Sequence, residues 1–165
     1  MVPVSLNRRL EGLYRENRQG LFTLALSITR SAHLAEDAIH DAFVNMCRAP
    51  ERPIDDLTAY VFASVRNAAY DLVRQRKLSG LPADSVYLPG GTSPEEKVAH
   101  QELLGLAAQH IEQLPDEQRE VLILKVHGGL SFKQIAEIVG APLPTVAARY
   151  RRVLLGLREQ LGTMV

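Results

Sequence analysis

The chain has 165 residues, 46% of them hydrophobic and 23% charged, which is the composition of a folded globular protein with room for one ordinary domain or two small ones. Nineteen Lys and Arg balance nineteen Asp and Glu, and no apolar run reaches the ~18 residues of a membrane-spanning helix. The opening MVPVSLNRRLEGLYREN lacks the apolar core of a secretory signal, and Cys47 stands alone, so no intrachain disulfide or thiolate metal site can form and a cytoplasmic protein is expected.

The predicted elements are all helical, because no stretch alternates apolar and polar residues with period two. In the first half, helices are expected near 6–17, 20–30, 32–48 and 56–78. The break at APERPIDD combines Pro50 and Pro53 with Asp55 or Asp56 as the next N-cap. Charge is uneven here. Residues 31–60 carry six acids (Glu36, Asp37, Asp41, Glu51, Asp55, Asp56) against Arg48 and Arg52, whereas 61–80 carry Arg66, Arg74, Arg76 and Lys77 against Asp71. An acidic face suits a basic protein partner and a basic face suits phosphate, although solvated helix faces would look the same.

Residues 79–94, SGLPADSVYLPGGTSP, hold three glycines and three prolines without helical period and read as a linker. The stretch ends in a strong helix start, with Ser93 as N-cap, Pro94 in the first helical position and Glu96 three residues after the cap. Three units follow from this: a helical domain over 1–78, a linker over 79–93 and a second helical domain over 94–165. In the second, helices are expected near 94–113, 116–127, 132–139 and 143–161, with Pro115 opening the second, Gly128-Gly129 closing it, and Ser131 with Gln134 forming a capping box for the third. The fold class is therefore all-α, two small helical domains joined by a flexible linker.

The stretch LSFKQIAEIVGAPLPTVAARYRR carries the most specific signal. Ile135, Ala136, Ile138 and Val139 give one helix an apolar side, and after Gly140 a second helix places Val146, Tyr150, Val153, Leu154 and Leu157 on one stripe. Arg149, Arg151 and Arg152 fall outside that stripe and point away from the core. Two helices joined by a tight glycine turn, the second with its charge outward, make a helix-turn-helix, whose second helix is thin enough to enter a major groove and pair arginines with phosphates or guanine edges. An ordinary helical hairpin with a solvated arginine face is the plainer alternative.

The segment LPDEQREVLILKVHGGLSFKQIAEIVGAPLPTVAARYRRVLLGLREQL also resembles the promoter −35-binding domain of bacterial extracytoplasmic-function (ECF) sigma factors, of the sigma-70 family. The match rests on Leu114-Pro115, Arg119, Gly129-Leu130-Ser131, Gln134-Ile135-Ala136, Gly140, Thr145-Val146, Arg149 and Leu157-Arg158. The first half matches separately. Ala35-Glu36-Asp37 and Asp41-Ala42-Phe43 are similar to the family's polymerase-docking helix, and Tyr60, Phe62, Arg66, Asn67, Asp71 and Arg74 to its promoter −10-opening segment. Departures are Pro142 in place of a serine cap, Pro144 in the first turn, and Ala147-Ala148 in place of a usual Lys-Ser, which bear on the DNA site that is read and on how strongly.

The resemblance implies a sigma factor, not an enzyme, that directs core RNA polymerase to promoters, with no cofactor and no metal. It implies polymerase contacts at Asp37, His40, Asp41, Val44 and Asn45; −10 contacts at Tyr60, Arg66, Asn67, Arg74, Arg76 and Lys77; and −35 contacts at Lys133, Thr145, Ala148, Arg149, Arg151 and Arg152. Core RNA polymerase and promoter DNA are the implied partners, an anti-sigma factor is a further candidate, and direct membrane insertion is not expected. Strand opening suits aromatic surfaces that replace lost base stacking at about 1–3 kcal/mol per base, although Phe62 and Tyr70 also read as core residues, the better reading for Phe62. The loop CRAPERPIDDL is the expected neighbour of a flipped base. Two rivals remain beside this reading: a free-standing helix-turn-helix regulator, and a sigma-like interaction module without promoter opening. His33, Glu36, Asp37 and His40 share one helical face and could hold a metal, but no second helix supplies a matching Glu-x-x-His.

Overall fold

The computed structural model describes residues 5–80 and 109–162, and every regular element among them is an α-helix. The expected linker from residue 81 onward and the expected helix over 94–108 lie outside the described residues, while 109–113 are helical.

Helix α1 (Leu6–Thr29) begins at Ser5, whose hydroxyl accepts the Arg8 N–H at 3.4 Å. It runs unbroken for 24 residues, which corrects the expected break between 6–17 and 20–30. A lone glycine costs a helix about 1 kcal/mol relative to alanine. That is too little to end a helix whose apolar residues on both sides of Gly20 (Leu10, Leu21, Leu24 and Ala25) are all buried. Helix α2 (Ala32–Arg48) is capped by the Ser31 hydroxyl, which accepts the Leu34 N–H at 3.3 Å. It buries Ala35, Ala38, Ile39, Ala42 and Met46 on one face, leaving its acids on the other. In α3 (Leu57–Ser79) Asp56 is the N-cap, its Oδ1 accepting the Ala59 N–H at 3.0 Å. Phe62, 1% exposed, is core, and it packs with Val61 and Val65 in the bundle that α1, α2 and α3 form.

Helix α4 (Asp116–Val126) buries Arg119 through Leu124 without interruption, so it is enclosed on all sides over that stretch, as its continuous apolar run requires. Helix α5 (Phe132–Val139) carries the expected capping box: the Ser131 hydroxyl accepts the Gln134 N–H at 3.1 Å and Gln134 Oε1 accepts the Ser131 N–H at 2.9 Å. Helix α6 (Leu143–Gly162) buries Val146 and Val153 and half-buries Tyr150 and Leu157. Leu154, expected on the same stripe, is 45% exposed. Eight residues of helix place it roughly 80° around the axis from Val146, at the edge of the buried arc.

The two halves do not stand apart. α4 packs against α1 and α5 against α3, and one apolar cluster runs through both, from Leu21, Leu24, Val65 and Ala69 to Val121, Leu124, Leu130, Ile135 and Ile138. A smaller cluster of Leu114, Leu122 and Val153 joins α4 to α6.

Candidate nucleic-acid and polymerase interfaces

The turn between α5 and α6 is set by Gly140, which takes the left-handed conformation (φ 69°) and donates its N–H to the Ala136 carbonyl at 3.0 Å. Ala141 donates to the same carbonyl at 3.2 Å, so the helix end is satisfied and the chain reverses within two residues. Phe132 and Tyr150 meet edge to face at 5.5 Å between centroids, fixing the angle between the helices, and Lys125 Nζ lies 4.6 Å from the Phe132 ring centroid.

On the helix-turn-helix, Lys133, Thr145, Ala148, Arg151 and Arg152 lie on the outer surface, Lys133, Thr145, Arg151 and Arg152 among its polar groups. Thr145, Ala148 and Arg152 follow one another at spacings of three and four and share one outer face of α6, with Arg151 on its flank. Arg149 differs from the expectation that all three arginines point outward. Its side chain is 24% exposed and its Nη2 lies 3.4 Å from Glu117 Oε2 on α4. A helical position about 60° from Val146 keeps it beside the neighbouring helix rather than opposite it.

The residues expected at the −10 element divide into two groups. Asn67, Arg74 and Lys77 are exposed, Arg74 pairing with Asp71 at 3.4 Å, and Arg76 is half-buried. Tyr60 is half-buried; its hydroxyl accepts Arg52 Nη2 at 2.7 Å, and the Arg52 guanidinium carbon lies 5.3 Å from the Tyr60 ring centroid. Arg66, by contrast, turns into the second half of the chain. Its Nε and Nη2 donate to Glu120 Oε2 at 3.2 and 3.1 Å, and the Tyr70 hydroxyl donates to Glu120 Oε1. Burial first, then the hydrogen bond and charge of Glu120, push the Tyr70 phenol above the ordinary tyrosine range, against the opposing charge of Arg66.

Sequence reasoning missed Glu120. It is a carboxylate only 5% exposed at the head of the run Val121–Leu124. A charged residue at the head of a wholly apolar run signals that a partner exists, because an unpaired buried charge is too costly, but it does not say which residue that partner is.

The acidic face of α2 presents Asp37, His40, Asp41, Val44 and Asn45 at spacings of three, one, three and one, a single helical face. His40, Asp41 and Asn45 are exposed, Val44 is half-buried, and Asp37 Oδ2 lies 3.4 Å from His33 Nε2. Beside this face, α1 and α2 enclose an open groove of about 1320 Å³ that Glu36, Asp37 and His40 line together with Tyr14 and Phe43, whose rings meet edge to face at 5.3 Å. His33, Glu36, Asp37 and His40 make no cluster able to hold a metal, nor do any other described residues. No helix among the described residues is long and apolar enough to cross a membrane.

Comparison with known proteins gives a consistent result. The family model for sigma-70 region 2 matches residues 13–78, and that for sigma-70 region 4 matches residues 105–155. The chain is 29% identical over 154 residues to the ECF RNA polymerase sigma factor SigW of Bacillus subtilis, covering 86% of this chain and 82% of SigW. It is 27% identical over 155 residues to the ECF RNA polymerase sigma factor SigE of Mycolicibacterium smegmatis, covering 91% of this chain but only 60% of SigE. Among solved structures, the sigma factor RpoE of Bartonella quintana, crystallised with the anti-sigma factor NepR, shares the fold with a TM-score of 0.70 at 22% identity, over 94% of this chain and 98% of that one.

Proposed function

The chain belongs to the extracytoplasmic-function group of the sigma-70 family, and on that premise we propose how its surfaces divide the work of a promoter-specificity subunit. As an RNA polymerase sigma factor it brings core polymerase to promoters and initiates transcription, with core RNA polymerase and promoter DNA as its partners. In this reading the chain is a binding subunit of the transcription machinery, carries no catalytic centre of its own and works in the cytoplasm. An anti-sigma factor is a further partner, in line with the neighbour crystallised with one.

The acidic face of α2, from Asp37 to Asn45, takes polymerase; the outer side of α3, with Asn67, Arg74 and Lys77, follows the −10 strand; and α6 enters the −35 major groove with Thr145, Ala148, Arg151 and Arg152 facing DNA. The observation that carries this reading is the order of the two matched regions on a fold that gives each its own charge: acid on α2, base on α3 and α6. A neutral net charge fits a subunit that draws much of its DNA affinity from polymerase. The test is co-elution of the purified chain with bacterial core RNA polymerase, beside the Asp37→Arg/Asp41→Arg variant. Co-elution of the first and not the second is expected. A folded wild-type chain that elutes alone would sink the reading.

A further inference from the structure

The start of α6 lacks the side chains that pair with guanine or adenine edges. Residues 141–148, APLPTVAA, hold no cation and no amide side chain. Pro142 and Pro144 also lack backbone N–H groups, so this helix N-terminus has fewer donors with which to hold a phosphate. What it exposes instead is largely apolar: Leu143, 46% exposed, with Pro144, Thr145 and Ala148.

In a helix-turn-helix the N-terminal residues of the second helix meet the base edges, so the chemistry of this end sets what can be read. Guanine is read by arginine or lysine and adenine by asparagine or glutamine. The C5-methyl of thymine is read by apolar contact, typically with alanine or the methyl of threonine. Arg149 follows Ala148 directly but is drawn aside, its side chain 24% exposed and its Nη2 3.4 Å from Glu117 Oε2 on α4. Arg151 and Arg152, further along α6, and Lys133 on α5 are all exposed. They frame the apolar end with charge suited to phosphate, which argues for DNA rather than an apolar protein surface as its occupant.

Thr145 and Ala148 lie three residues apart on one face, so their methyl groups stand about 4.5 Å apart along the axis, near the ~3.4 Å step between successive bases on a strand. With α6 lying along the groove, the two meet neighbouring base pairs. We propose that this chain reads its −35 element by methyl contact, Thr145 and Ala148 each packing on the C5-methyl of a thymine in one of two adjacent base pairs, while Arg151, Arg152 and Lys133 hold the phosphates. The inference rests on the sigma-factor reading above and deepens it by naming the base that the first turns of α6 select.

The experiment assembles holoenzyme from core RNA polymerase and the full-length chain and selects −35 elements from promoter fragments with a randomised upstream segment. Each thymine of the selected element is then replaced by deoxyuridine, which deletes the methyl and keeps the base pair. Wild type, Thr145→Ser and Ala148→Gly are compared. The ratio of thymine to deoxyuridine affinity is taken within each variant, so a general loss of helix stability cancels. Thymines in two adjacent base pairs should be enriched, and deoxyuridine at each should cost the wild-type holoenzyme about fourfold, the worth of one buried methyl. Each variant should lose the methyl dependence at one of the two positions. Selected elements without the adjacent thymines, or full wild-type affinity on deoxyuridine, overturn methyl reading. A methyl dependence undiminished in both variants also overturns it, since another residue is then the reader. A chain that forms no complex with core polymerase fails before any DNA is selected; that is the separate signature of a wrong sigma-factor reading, and methyl reading falls with it.

Discussion

Arg119 donates Nη2 to the Leu114 carbonyl at 2.8 Å, and the rest of its guanidinium closes the turn in front of α4: Nη2 also reaches the Glu112 carbonyl at 2.7 Å, Nε the Ile111 carbonyl at 3.1 Å, and Nη1 Asp116 Oδ1 at 2.9 Å. At the end of the helix over 109–113 the Leu114 N–H reaches only the Ile111 carbonyl, at 3.2 Å, and a proline at 115 supplies no further donor. The planar five-donor fork of one arginine reaches three carbonyls there at once, which ties the Leu-Pro opening to the arginine five residues after its leucine.

Replacing Arg119 with methionine therefore strands the Glu112 and Leu114 carbonyls, leaves Ile111 with the Leu114 N–H alone, and is expected to destabilise the second half by about 2–3 kcal/mol. Arg119→Lys should recover only part, since an ammonium cannot span the same acceptors. Urea denaturation followed by circular dichroism measures both. An Arg119→Met midpoint equal to wild type would show that the fork holds nothing.

Gly140, at φ 69°, faces open space where a side chain would stand, with no atom within 4 Å of a Cβ. The cost of Gly140→Ala is then backbone alone, about 1–2 kcal/mol, and Gly140→Asn should cost less because asparagine tolerates the left-handed region. Thermal denaturation should rank the three Gly, Asn, Ala; alanine above asparagine would contradict the turn.

Arg151→Ala and Arg152→Ala should each weaken promoter DNA binding and lower the slope of log affinity against log salt by about 0.9 for each phosphate left without its cation. Polymerase binding should be unchanged. Arg149→Ala also removes the pairing with Glu117, so part of its effect should be copied by Glu117→Gln, which touches no DNA in the proposed arrangement. Salt titrations by fluorescence anisotropy separate these cases, and equal weakening of polymerase binding would make the arginines structural.

The Tyr70 phenol has a folded value above its unfolded one. Its bond to Glu120 therefore contributes fully below the ordinary phenol value of about 10, and that contribution disappears as pH rises through the raised folded value. Stability from this pair should be flat through neutral pH. Phenolate absorbance in the near ultraviolet should show a step at the alkaline end that Tyr70→Phe removes; an unchanged titration in that variant would place Tyr70 outside the Glu120 pairing.

Much of the fold was legible locally. The caps at Asp56 and Ser131, the turn at Gly140 and the burial of Val146 and Val153 depend on hydrogen bonds and side-chain spacings within a few residues, and such interactions are written in the order of the residues. The acidic face of α2 and the outward Arg151 and Arg152 follow from the same helical period. The two matched regions and their order were also readable along the chain, because they rest on short residue patterns rather than on packing.

What the tertiary structure alone decided lies between segments far apart in sequence. Gly20 looked like the start of a second helix after a break until the His127 carbonyl proved to rest on it inside one unbroken helix, and Arg66 looked like a DNA contact until Glu120, 54 residues away, took its guanidinium. Arg149 looked outward until Glu117 met it. Helical propensity and charge say that such groups need room or a partner, but which partner arrives depends on how two apolar faces dock, and that is settled by the packing of the whole core rather than by any local run of residues.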